Sequence, residues 1–194
     1  AVLGALFAAP SASAHPFLEE RLVLLDRDIA ADPANGRLRL SRGSLYLDES
    51  HFPEAVADLR RALELDPALA VAELLIAQAE LAAGELEAAF AAATRFVERE
   101  PQQAKGWRTL ARILSARGEL ARSAAAFDQF FALATDPRPD DYLERARLRR
   151  RLDQPAMALT GLDDGIERLG PIRALQLEAL EIERSRPGVA TTPR

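Results

Sequence analysis

The sequence predicts an all-α fold, an α-solenoid in which helix–turn–helix units repeat along the chain. The first observation is a period: prolines recur at intervals of about 34 residues, at Pro33, Pro67, Pro101, Pro137 and Pro171. A constant spacing of this length indicates a structural repeat. Between these prolines lie two helical runs separated by a breaker such as Gly84 or Gly118. The composition agrees, because it is rich in alanine, 48% hydrophobic and only 6% aromatic.

The opening segment 1–14, AVLGALFAAPSASA, is uncharged and ends on Ala12-Ser13-Ala14. That is the small-x-small pattern which signal peptidase cleaves, so we interpret 1–14 as the remnant of a secretory signal peptide. Cleavage would leave His15 first and, in a bacterium, a periplasmic protein. A frayed alanine-rich tail is the alternative. A run this short predicts no membrane span, which requires about 20 apolar residues.

The remaining elements follow in order along the chain. The sequence predicts a capping helix over residues 15–35, which corresponds to the second helix of a preceding unit. Four units then cover 36–171, with bounds 36–67, 70–101, 104–137 and 139–171. A first helix without its partner is predicted over 172–185, and the polar tail 186–194 is predicted to be disordered.

Small residues recur at fixed places in the helices. Where two helices cross, a small side chain lets the backbones approach and a bulky neighbour fill the groove. The first helices carry Gly43, Ala77, Ala111 and Ala146 at this place, and the second helices carry Ala55, Ala89, Ser123 and Ala158.

The segment RLRLSRGSLYLDESHFPEAVADLRRALELDP, 37–67, has Gly43, Tyr46, Ala55, Ala62 and Pro67 at the places that one repeat family prefers. The chain resembles the tetratricopeptide repeat (TPR) family, whose units are helix–turn–helix motifs of about 34 residues. The resemblance implies a right-handed α-solenoid. It also implies a concave face, lined by the first helix of each unit, that binds peptides.

Some residues depart from the family pattern. Arg39 and Glu73 stand where the family usually has a bulky residue. Phe96 and Phe130 stand where it prefers a small one. Arg145 and Arg149 lie on a stripe that should be buried.

The predicted peptide-binding face lies opposite the buried stripe of each first helix. Its candidate residues are Arg37, Leu40, Leu74, Gln78, Lys105, Arg108, Arg112, Leu143, Arg147, Arg150 and Arg151. Asp48 and Asp140 lie on the same face, so its seven positive and two negative residues give a net charge of +5, whereas the rest of the chain has a net charge of −10. We expect a protein or peptide partner, apolar at one end and with an acidic segment at the other, because guanidinium groups bind carboxylates in bidentate fashion. The alternative is that these arginines pair with Asp and Glu of neighbouring helices. The chain lacks the asparagines of the family's two-carboxylate clamp, which disfavours that subtype.

Several classes of function are excluded or disfavoured. The chain has no cysteine, which excludes disulfide frameworks, zinc fingers and thiol catalysis. Its net charge of −5 gives no general attraction to nucleic acid. It contains neither a G-x-S-x-G nor an H-E-x-x-H motif and no phosphate-binding glycine loop. The sequence therefore predicts a non-catalytic exported adaptor or scaffold without a cofactor.

Two alternatives stay open at this level. The unpartnered helix 172–185 could pack on a second copy and make a weak homodimer in place of a monomer. His15, exposed as the new N-terminus, could chelate copper together with His51.

Overall fold

The computed structural model describes residues 16–185, and this range contains ten α-helices and no strand. The helices are α1 (Pro16–Ala31), α2 (Gly36–Asp48), α3 (Phe52–Leu65), α4 (Val71–Ala83), α5 (Leu86–Arg99), α6 (Ala104–Ala116), α7 (Leu120–Leu133), α8 (Pro139–Arg151), α9 (Pro155–Leu169) and α10 (Arg173–Ser185). The all-α prediction is confirmed. The predicted signal remnant 1–14 and tail 186–194 lie outside the described residues.

The helices form antiparallel pairs that stack in chain order. α2 packs on α3, α4 on α5, α6 on α7 and α8 on α9, and each pair also contacts the next. α1 packs on α2 at one end, and α10 packs on α8 and α9 at the other. Since contacts join neighbouring units, the architecture is a solenoid, as predicted.

The turn within each helix pair contains one residue in the left-handed conformation. Its φ angle is 63° at Ser50, 86° at Gly84, 80° at Gly118 and 56° at Asp153. The N–H of the next residue then donates to the carbonyl five residues back, as from His51 to Tyr46 at 2.8 Å. Two of the four turns therefore place a side chain where glycine fits best.

Close helix crossings explain the glycines and one departure from the family pattern. A Cβ on Gly43 would lie 2.8 Å from Cγ of Leu59, so only glycine fits there. A Cβ on Gly106 would lie 2.5 Å from Cδ1 of Phe96. The large ring of Phe96 is accommodated because the facing residue of α6 has no side chain.

The charged departures Arg39 and Glu73 are each paired within their own unit. Arg39 donates to Asp58 at 3.0 Å, and Glu73 accepts from Arg95 at 2.7 Å. Asp58 also accepts from Arg42, and this hydrogen bond holds the pKa of Arg42 above its ordinary value. Arg39 and Glu73 are one repeat period apart, so the same place carries opposite charges in the two units. Each charge has its own oppositely charged partner.

The buried side chains form two separate apolar clusters. The first extends from Ala55 to Phe130 and includes Leu148, with the indole of Trp107 packed against it. That indole donates to the carbonyl of Pro101 at 2.8 Å. The second cluster joins α8, α9 and α10 through residues such as Tyr142 and Leu175.

Arginines lie between the two clusters, at the junction of α7 and α8. Arg145 lies 3.8 Å from the ring centroid of Phe131, and Arg149 pairs with Asp128 at 2.6 Å. Burial lowers the pKa of Arg145, although Asp164 nearby opposes that shift. These are the two arginines that the repeat pattern places on a buried stripe.

Candidate functional site: a cleft between α6 and α8

The first helices of the units lie side by side, but one neighbouring pair is separated more widely. α4 approaches α6 closely and α8 approaches α10 closely, whereas α6 and α8 approach less closely. The interval between successive prolines is also longest here, from Pro101 to Pro137. The wider spacing leaves an open space along the first-helix side.

This space is a cleft of ≈ 420 Å³, which we call the α6–α8 cleft. Its lining residues come from α6, α7 and α8: Arg112, Ser115, Ala116, Phe127, Glu144, Arg147, Leu148 and Arg151. Phe127 and Leu148 are each only 2% exposed and form an apolar floor. Three guanidinium groups and one carboxylate surround that floor, so the cleft carries an excess of positive charge.

Arg112 spans the gap between α6 and α8. Its Nε and Nη2 donate to the two carboxylate oxygens of Glu144 at 2.7 and 2.6 Å. Burial alone would lower the pKa of Arg112, but the hydrogen bond to Glu144 and the nearby Asp141 raise it above its ordinary value. This guanidinium is therefore held as a cation in bidentate geometry.

Asp141 is the most buried charged group of the junction. It has no exposed surface, lies 3.4 Å from Arg108 and 3.6 Å from Arg112, and accepts from the backbone N–H of Arg138 at 2.9 Å. Arg108 also lies over the ring of Phe130, 5.7 Å from its centroid. Arg108 thus holds the junction together and is less available to a ligand.

The arginines at the end of α8 have weaker partners. Arg147 and Arg150 share a single carboxylate, that of Glu178 on α10, at 3.2 and 2.8 Å. Arg151 contacts only the hydroxyl of Ser115, at 3.5 Å, among the residues that the structure describes. The cleft therefore contains cations whose charge is only partly balanced.

The other candidate residues lie along the same side of the array in different environments. Arg37 and Lys105 are exposed and have no carboxylate partner within residues 16–185. Leu40 packs on the first cluster, while Leu74 and Leu143 are only 5% and 8% exposed. The list ends with Gln78, whose amide donates to Thr109 on the next first helix at 3.5 Å. A binding role for these residues stays a prediction.

Comparison with solved structures decides the fold. MamA from Desulfovibrio magneticus RS-1 is similar at 17% identity and a TM-score of 0.67, over 88% of each chain. YrrB, a TPR protein with an unusual peptide-binding site, is similar at 19% identity and a TM-score of 0.69, over 84% of each chain. The chain has the tetratricopeptide repeat fold.

A third TPR structure resembles part of the array. The first TPR domain of Spaghetti (RPAP3), bound to the HSP90 peptide SRMEEVD, is similar at 14% identity and a TM-score of 0.58, over 61% of this chain and 94% of that one. No family model and no curated protein matches the sequence. The similarity to the TPR structures is therefore one of architecture.

Sequence reasoning did not single out the acidic partners of the TPR array. Asp141, Glu144 and Glu178 each lie on the first helix that follows the arginines they bind. A signal was present, since Asp141 follows Arg108, and Glu144 follows Arg112, by nearly one repeat period. Residues one period apart lie side by side in a solenoid, so charged pairs at this spacing predict contacts between units.

His51, the second ligand of the copper alternative, is exposed just before α3. Its ring centroid lies 6.1 Å from that of Tyr46. Residues 16–185 contain no group of three potential metal ligands, and His15 lies outside that range. No helix in the described part of the chain is long and apolar enough to span a bilayer.

Proposed function

We propose that the protein is an exported, non-catalytic adaptor that holds an acidic segment of a partner protein in the α6–α8 cleft. The observation that carries the proposal is the combination of three guanidinium groups with an apolar floor in one open space. Such a surface suits a segment in which carboxylates alternate with an apolar side chain. TPR structures with a peptide-binding site, or with the bound peptide SRMEEVD, support this choice of ligand.

Binding would exchange one set of ion pairs for another. A carboxylate of the partner would contact Arg147 and Arg151, which share or lack a carboxylate in the free protein. Glu178 would keep Arg150 at 2.8 Å, so no buried charge is left alone. An exchange of this kind contributes little net Coulomb energy. We expect the apolar part of the affinity to come from Ala116 and the methylene stems of the lining arginines, because the floor itself is only 2% exposed.

A photo-crosslinking amino acid at Ala116, an exposed residue in the lining of the cleft, tests this proposal in living cells. The matched control carries the same amino acid at Ala91, which is exposed on α5 and not part of the cleft. We expect a discrete protein adduct from position 116 only. The adduct should be lost with Arg147→Ser and Arg151→Ser combined and kept with Arg61→Ser. Equal adducts from both positions, or persistence in the double variant, would contradict the proposal.

Export is tested by the mature N-terminus. Mass spectrometry of the protein from the periplasmic fraction should find a chain that begins at His15. A protein that keeps residues 1–14, or that fractionates with the cytoplasm, would contradict this part of the proposal.

A further inference from the structure

We propose that the space between α7 and α9 binds a small monocarboxylate, such as butyrate, whose carboxylate pairs with the guanidinium of Arg145. This space, which we call the α7–α9 pocket, has a volume of ≈ 290 Å³. It is lined by Arg145 and Arg149 of α8, by Asp128 of α7 and by residues of α9 that include Gly161. None of these residues lines the α6–α8 cleft, so the two sites are separate.

The equivalent arginine of the first unit shows how this place in the repeat can be paired. Arg42 and Arg145 each lie directly before the small residue of their first helix, so they occupy the same place. Arg42 donates to both carboxylate oxygens of Asp58, with 2.8 Å between Nη2 and Oδ1, and it also donates to Asp26. Its largely buried charge therefore has two carboxylate partners.

The fourth unit provides neither of these partners to Arg145. Gly161 occupies the place of Asp58, since each lies three residues after the small residue of its second helix. The place of the other partner is taken by Asp128, which pairs instead with Arg149 at 2.6 Å. The α7–α9 pocket is thus open where the first unit has a carboxylate.

Arg145 consequently uses few of its hydrogen-bond donors. Among the described residues it donates only to the carbonyl oxygen of Gly161, at 3.2 Å, although a guanidinium has five N–H groups. The nearest carboxylate, that of Asp164, lies 3.8 Å away and is 58% exposed. Burial lowers the pKa of Arg145 by more than Asp164 raises it. A largely buried cation with so loose a partner is stabilised by an additional anion.

A neighbouring side chain lacks a partner for the same reason. In the first unit Arg39 also donates to Asp58, at 3.0 Å. Tyr142 occupies the place of Arg39 in the fourth unit, and its buried hydroxyl has no hydrogen-bond partner within residues 16–185. Both places that contact a carboxylate in the first unit therefore hold an incompletely paired polar group in the fourth.

The other lining residues favour a ligand with a single charge and an apolar body. Asp128 and Asp164 offset the two arginines, so the pocket has no net charge and disfavours a second anionic group on the ligand. Met157 is 52% exposed and, together with Ala156, supplies apolar surface. A short alkyl chain would cover these two residues while the carboxylate contacts Arg145.

Saturation-transfer NMR with the full chain and butyrate tests the proposal. Saturation should pass from the protein to the butyrate methyl group, and butyrate should shift the Nε–H signal of Arg145, which is identified by its absence from Arg145→Met. Acetate should bind about fivefold more weakly, because it has fewer methylene groups to bury. Absence of saturation transfer, equal transfer in Arg145→Met, or an equal shift with sodium chloride at the same ionic strength overturns the proposal.

Asp164→Asn tests the place of the carboxylate without changing the volume of the pocket. The change removes the anion that competes for Arg145, so butyrate should bind at least threefold more tightly. The matched control is Asp163→Asn, an exposed neighbour on α9 that does not line the pocket and should leave the affinity unchanged. Weaker or unchanged binding in Asp164→Asn overturns the assignment of the carboxylate to Arg145.

Gly161→Asp supplies the missing carboxylate from the chain itself. It should pair with Arg145 as Asp58 pairs with Arg42, and weaken butyrate binding at least tenfold. Its Cβ would lie 2.8 Å from Nη2 at the flexible end of Arg145, which can shift. Circular dichroism first establishes that this variant folds, and if it does not, Asp164→Asn decides alone. Undiminished binding in the folded variant overturns the proposal. No variant alters the α6–α8 cleft, so this inference and the proposed function fail independently.

Discussion

The α5–α6 and α7–α8 junctions both join neighbouring units, but they differ in spacing and in chemistry. At the first, the ring of Phe96 covers Gly106, and apolar atoms meet apolar atoms. At the second, Arg145 covers the ring of Phe131 and Arg149 pairs with Asp128. Apolar contact is spread over many atoms and tolerates small shifts, whereas a buried guanidinium depends on a few directed partners. The repeat period therefore specifies how the units stack, but it does not specify how strongly neighbouring units bind each other.

The largest effect is expected at the α7–α8 junction, the polar one of the two, where Asp141 is the most buried charge. Asp141→Asn should lower the free energy of unfolding by about 3 kcal/mol, because Arg108 and Arg112 lose a buried countercharge. Urea unfolding followed by circular dichroism measures this. Asp140→Asn is the matched control, since Asp140 is exposed, and it should change stability by less than about 0.5 kcal/mol. Equal effects at both positions would show that Asp141 does not organise the junction.

The stability of the α5–α6 junction, the apolar one, should depend on side-chain volume and not on charge. Gly106→Ala should cost about 2 kcal/mol, because the new Cβ would lie 2.5 Å from the ring of Phe96. Combining it with Phe96→Leu should cost less than the sum of the two single changes, as measured by a double-mutant cycle in urea. Strict additivity would mean that the two residues do not compete for the same space.

Replacing a buried charge by an apolar chain should make the polar junction more like the apolar one. Arg145→Met should raise stability by about 1 kcal/mol, because methionine can still cover Phe131 without the cost of burying a guanidinium. Thermal unfolding measures the gain. The control is Arg168→Met, an exposed position on α9. A loss of stability at position 145 alone would show that the hydrogen bond to the carbonyl of Gly161, at 3.2 Å, outweighs the burial cost.

The smallest effects are expected at the turns within the first and fourth units, outside the two junctions, where Ser50 and Asp153 have the left-handed conformation. Ser50→Gly and Asp153→Gly should each raise stability by about 0.5 kcal/mol. The left-handed conformation costs a side chain about 1 kcal/mol, and part of that gain is lost to the greater freedom of glycine in the unfolded chain. Thermal unfolding of both variants should show similar gains. A gain in only one would mean that the turns of the first and fourth units differ in strain.

Much of the fold could be predicted from the sequence, because period and breakers act locally. Prolines one period apart, and Gly84 and Gly118 at left-handed turns, place the helices before any contact is known. The partners of the arginines were harder to predict, because an ion pair between units depends on which of several nearby carboxylates lies in reach. Phe127 shows a further limit. The repeat pattern predicts it as a core residue and it is buried, yet it also forms part of the floor of the cleft. A surface made by the spacing of two helices leaves no separate mark in either helix.

The indole of Trp107 gives the molecule a built-in optical reporter of one half of the array. It is the only tryptophan in the chain and packs on the first cluster, with its N–H bound to the connector at Pro101. Its emission therefore senses the melting of α2 to α7, while far-ultraviolet ellipticity averages over every helix. If the polar junction lets the last three helices melt first, ellipticity will begin to fall while the emission is still that of the native state.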